Sequence, residues 1–207
     1  MNRSSRTEYR TGFIRRYLVL FLTAALGFLL QGSLMPYVRI FGVTPNLLYA
    51  VISIVTVAYG KLRAFWVGLV YGFLTEISLL SIRDAPFLNL AVYPLTTLFV
   101  SFAFADKPLQ RIEMDRAMNR KTKELPAWLR TLLCAAVNIT VYEIINLIYV
   151  FLKGYDLTSG HIFRALTDVA ATTALTALIM FPVRRAIFGK KVIVPVLKND
   201  PIVFAKK

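Results

Sequence analysis

The residues of this chain that could do chemistry are few, and most stand inside apolar runs. Glu76, Glu143 and Asp168 are acids embedded in hydrophobic sequence, Asn138 and Asn146 are amides in the same setting, and Arg164 is a basic residue four positions before Asp168. An ionisable group within a membrane-length apolar run costs about 2.5–3.5 kcal/mol near the bilayer centre, so it turns to the helix-bundle interior and finds a partner. Spacing sorts these residues onto faces. Arg164, Asp168, Thr172 and Thr176 recur every four residues, as do Asn138, Tyr142 and Asn146, with Tyr149 following and Glu143 beside them. Two readings are open: a polar cluster with Arg164 as counter-charge to three acids, or unconnected hydrogen bonds between helices. The cluster reading implies either protonated acids or a basic group arriving from outside.

Gly60, Ala64, Gly68, Gly72 and Glu76 form a second four-residue series. The Gly68-x-x-x-Gly72 part makes a flat stripe that lets another helix approach closely, either for packing within the chain or for docking a partner. Glu76 continues the stripe, either as an acid reaching for the interface or as a functional group. The candidate partner- or ligand-binding residues are therefore Gly68, Gly72, Glu76, Asn138, Glu143, Asn146, Arg164 and Asp168.

Other chemistries lack their residues. His161 and Cys134 are the sole histidine and cysteine, so neither a His/Cys metal site nor an intramolecular disulfide can be assembled. No nucleophile–base pair or phosphate-cradling glycine loop is legible. The expectation is a protein with no catalytic residues, no metal and no cofactor.

The elements that must position these residues are set by composition. Of 207 residues, 57% are hydrophobic and 17% charged, and mean hydropathy is +0.61. Charge is confined to the N-terminus, one central stretch and the C-terminus, while the apolar runs approach the roughly 18 residues that cross a bilayer. Six spans are expected, at about 17–35, 45–59, 64–80, 86–105, 129–152 and 162–181, with a cytoplasmic loop over 106–128. They form one transmembrane domain (1–185), followed by a basic tail (186–207). Thr44 is the expected N-cap of the second span, with Pro45 in its first turn. Pro94 is an expected kink, and Pro182 an expected stop. The runs lack the alternation of barrel strands, so the class is all-α. The first run is too long for the apolar part of a signal peptide and lacks a small-residue cleavage site, so it reads as a retained span.

Direction follows from the basic residues. All but Arg39, Arg83, Lys153 and Arg164 of the 25 fall on the side of the N-terminus. The positive-inside rule then places both termini in the cytoplasm. The same asymmetry accounts for the net charge of +14 without a nucleic-acid surface. Glu76, Glu143, Arg164 and Asp168 all fall in the outer half.

Several short stretches, in order, resemble the bacterial rod-shape-determining protein MreD family. They are Leu30-Gln31 and Met35-Pro36 closing the first span, Thr44-Pro45-Asn46-Leu47-Leu48 entering the second, and Gly68-x-x-x-Gly72-x-x-x-Glu76 in the third. Glu76 stands where that family commonly has Asp. The charged loop, two further spans and basic tail also fit its layout. The resemblance implies a non-enzymatic scaffold of the cell-wall elongation machinery in the bacterial inner membrane. Its partners would be membrane lipid and a single-span MreC-like protein, together with MreB, RodA and a class B penicillin-binding protein. It implies a fold similar to the S component of energy-coupling-factor transporters. From that fold comes the competing expectation, an S component holding a vitamin-like substrate or metal among Glu76, Glu143, Arg164 and Asp168.

Overall fold

The structure, a computed structural model, describes residues 3–79, 88–105, 125–154 and 156–188, with side chains from residue 17 to residue 185. These residues form six α-helices and a 3-10 turn. The helices are α1 (Arg3–Ser33), α2 (Leu47–Tyr59), α3 (Lys61–Leu79), α4 (Leu88–Phe104), α5 (Ala127–Leu152) and α6 (Ser159–Phe188). The turn, Met35–Tyr37, follows α1. The expected turn at 81–85 with Arg83, the start of the fourth span at Pro86, most of the central loop (106–124) and the tail beyond Phe188 lie outside the described residues.

The chain is helical, and among the described residues three stretches are long and apolar enough to cross a membrane: Tyr17–Tyr37, Ala127–Leu152 and Ser159–Arg185. The helices α2 and α4 are apolar but shorter. Their arrangement explains why α2 can be short. Every residue from Leu47 to Val57 is buried, and α1, α3, α4, α5 and α6 all pack around this one helix. A helix that is apolar on all sides belongs at the centre of a bundle. Its two mid-helix hydroxyls are satisfied locally: Ser53 donates to the Tyr49 carbonyl and Thr56 to that of Ile52, both at 2.8 Å.

The glycine stripe of α3 is used within the chain. A Cβ at Gly72 would lie 2.7 Å from the Asn89 carbonyl oxygen and 3.1 Å from Leu90 Cα. One at Gly68 would lie 2.9 Å from Thr97 Oγ1 and 3.3 Å from Pro94 Cα. Glycine is thus what lets the backbones of α3 and α4 touch, and Gly68 and Gly72 face α4 rather than an outside partner.

Several element ends differ from expectation. Helix α1 runs back to Arg3, because no proline precedes Tyr17 and a charged helix can continue beyond a membrane. Helix α2 starts at Leu47 with Asn46, not Thr44, as its N-cap, since the Asn46 side-chain oxygen accepts from the N–H groups of both Leu48 and Tyr49. Helix α6 continues through Pro182 to Phe188 rather than stopping at Phe181, so the first three residues assigned to the tail are helical. Pro94 likewise lies within the continuous α4.

Candidate functional site

The N-terminus of α2 is where the bundle gathers its polar groups. A helix start leaves four backbone N–H groups without intrahelical partners. Here three other helices contribute to the junction that satisfies and surrounds them. Gln31, near the end of α1, accepts the Leu47 N–H at 2.7 Å through Oε1. Thr172 of α6 accepts the Asn46 N–H at 2.9 Å. Asn46 caps its own helix and donates through Nδ2 to the Tyr93 hydroxyl of α4 at 3.1 Å. The Thr172 hydroxyl then donates to Asp168 Oδ1 at 2.9 Å. One chain of hydrogen bonds therefore joins α2 to α1, α4 and α6.

Beside this junction lies a cavity of about 400 Å³, lined among others by Gln31, Asn46, Tyr142, Glu143, Asn146 and Asp168. Arg164, His161 and the Gly42–Thr44 segment complete its wall. That segment is a tight reversal, with Ile40 and Val43 exchanging backbone hydrogen bonds of 2.8 and 3.0 Å across Phe41 and Gly42, both at positive φ. Below the cavity, Tyr142 packs on the stacked pair Tyr49 and Tyr93, whose ring centroids are 4.6 Å apart.

Four of the eight residues singled out from the sequence thus meet: Glu143, Asn146, Arg164 and Asp168. Their relations differ from a simple set of acids around one cation. Asp168 is buried, accepts from the Thr172 hydroxyl and shares the cavity wall with Glu143. Arg164, one helical turn away, is exposed and makes no ion pair with either acid among the described residues. A hydrated guanidinium gains little from pairing across a high-dielectric opening. The cavity accordingly offers an available cation at its rim and a carboxyl pair below.

The other four lie elsewhere. Gly68 and Gly72 pack on α4. Glu76 is buried on α3 and is not part of the cavity wall. Asn138 is buried deeper in the bundle, where Nδ2 reaches Ser53 Oγ at 3.4 Å and Cys134 Sγ at 3.7 Å. Sequence reasoning left out Gln31, Asn46 and Thr172 as site residues. The signal for Gln31 was available, because it is an amide closing an otherwise apolar run. Glu143, Asp168 and His161 share the cavity wall, yet no group of three His, Cys, Asp or Glu side chains is placed to hold a metal among the described residues.

The fold and site define a helical protein with membrane-length apolar helices and a polar junction at one end of the bundle. No protein-family model, curated protein or solved structure matches the chain.

Proposed function

We propose that this chain is a scaffold of the MreD kind: a six-span protein of the bacterial inner membrane with both termini in the cytoplasm. In this reading it binds an MreC-like single-span protein and helps organise peptidoglycan synthesis with MreB, RodA and a class B penicillin-binding protein. All six helices serve as spans. The shortness of α2 is no obstacle, because a helix enclosed by five others does not face lipid and need not match the bilayer thickness.

The observation that carries the reading is the convergence of separate family-like stretches on one junction. Gln31 and the Thr44-Pro45-Asn46-Leu47-Leu48 stretch meet at the start of α2. The Gly68-x-x-x-Gly72 stripe seats α4, which brings Tyr93 to the same point. Each stretch has a physical task in building one bundle end. The test is affinity purification of the tagged full-length chain in mild detergent. Retention of an MreC-like protein is expected, and its absence from a well-folded preparation rejects the scaffold.

A second reading is favoured by the cavity itself. About 400 Å³ with convergent polar groups suits a small organic ligand. The rim guanidinium and deeper carboxyl pair suit a zwitterion, as in an S component of an energy-coupling-factor transporter with its vitamin-like substrate. A stoichiometric small molecule in the purified protein, with no MreC-like partner, would decide for this alternative.

A further inference from the structure

On the opposite half of the bundle, α1 and α3 stand apart and leave a slot of about 530 Å³ between them. Leu20 and Val67 pack against the core at this slot, and Phe21, Ala25, Trp66 and Val70 complete its apolar walls. A hydrogen bond marks each end. At one end the Tyr71 hydroxyl donates to the Ala24 carbonyl at 2.9 Å. At the other, Arg63 Nε donates to the Tyr17 hydroxyl at 3.1 Å.

Its length selects its occupant. From Arg63 to Tyr71 is eight residues of helix, about 12 Å at 1.5 Å per residue. A single membrane leaflet contributes about 15 Å, half of a hydrocarbon core about 30 Å thick. A partner helix, about 10 Å wide and needing the full thickness, does not fit a slot that stops at the Tyr71–Ala24 contact. One acyl chain entering from the Arg63 end does. Charge selects the headgroup. The Arg63 guanidinium has five N–H donors, and its bonds to Tyr17 and the Tyr59 carbonyl use two of them. Arg15 and Arg16 directly precede Tyr17 in sequence and Lys61 lies two residues before Arg63, so the sequence leading into this end is basic.

We propose that the α1–α3 slot is a binding site for one acyl chain of an anionic phospholipid, whose phosphate is held by Arg63. The planar guanidinium suits bidentate contact with phosphate, and the net negative headgroup complements the neighbouring basic residues. The site is separate from the polar cavity, and it depends on the membrane embedding of the chain but not on the MreD reading.

Trp66 is a reporter already in the wall. The full-length Trp128→Phe protein, which keeps Trp66 as its single tryptophan, is reconstituted into vesicles of mixed phosphatidylcholine and phosphatidylglycerol. Either lipid in turn carries brominated chains that quench tryptophan. Phosphatidylglycerol is expected to compete for the Trp66 site about fivefold better than phosphatidylcholine, and Arg63→Gln should bring the ratio close to one. Ala25→Phe, which fills the slot, should abolish the preference while Arg63 remains. A ratio near one in the parent protein, or a preference unchanged by Arg63→Gln, overturns the proposal. Flotation of the same vesicles is read first. A chain that stays behind overturns the membrane embedding on which the site rests, whereas one that floats with a ratio near one overturns the slot alone.

Discussion

The side chain of Gln31 is hydrogen-bonded to the backbone of Leu47: Oε1 on α1 accepts the first N–H of α2 at 2.7 Å. An amide closing one helix thereby completes the start of the next. Replacing Gln31 with Leu leaves that N–H, in a part-buried setting, without its acceptor. The cost is about 1–3 kcal/mol, seen as a fall of roughly 3–8 °C in apparent Tm in detergent. Gln31→Glu keeps an acceptor at the same reach and should lose less. Thermal unfolding of both variants checks the order, and equal losses would show that the acceptor is not what matters.

Two glycines should respond to alanine with opposite signs. Gly72→Ala puts a Cβ against backbone atoms of Asn89 and Leu90, which cannot swing aside as a side chain would. A loss of about 1–3 kcal/mol follows from overpacking. Gly32, near the end of α1, has open space around it: a methyl added there would meet nothing within 4 Å. Gly32→Ala should therefore stabilise by about 0.5–1 kcal/mol through helix propensity. The same melting assay distinguishes them.

Asp168→Asn separates the architecture of the cavity from its chemistry. The amide oxygen can still accept from Thr172, so the junction with Asn46 survives. Stability should stay within about 1 kcal/mol of the parent, because no buried donor or acceptor is orphaned. What disappears is the ionisable group. If the proposed scaffold works through this carboxyl pair, Asp168→Asn and Glu143→Gln will fold but fail to support partner retention or cell-shape complementation. Full activity in both variants would reduce the cavity to a packing feature.

Cys134 has no exposed surface and lies with Val57 and Val100 in the packing between α5, α2 and α4. Reaction of a thiol requires access as well as ionisation. A maleimide should therefore leave Cys134 unlabelled in the folded protein and label it at the rate of unfolding. Labelling against temperature gives a stability readout for the variants above. Prompt labelling at low temperature would contradict the packing of α5 on α2.

The sequence alone determined that the chain is helical and strongly apolar, because those properties are additive along it. Four-residue spacing likewise placed Asp168, Thr172 and Thr176 on one face, and all three are buried. It placed Gly68, Gly72 and Glu76 on one stripe for the same reason. What spacing could not supply was the neighbour of each face. Only tertiary packing decided that the glycine stripe is filled by α4, that Glu76 is not in the wall of the cavity that Glu143 and Asp168 line, and that Asn138 belongs to the bundle interior.

Two reversals show the physical reason most directly. Arg164 was the natural partner for the acids on charge alone, yet Asp168 turns to Thr172 because burial rewards hydrogen bonds that can be completed inside the bundle. Thr44 was an acceptable cap on local grounds, yet Asn46 takes the role because its amide can cap α2 and reach Tyr93 of α4 at once. Local sequence fixes which groups must be satisfied. The partner that satisfies each one comes from another helix, and that assignment exists only once the helices are packed.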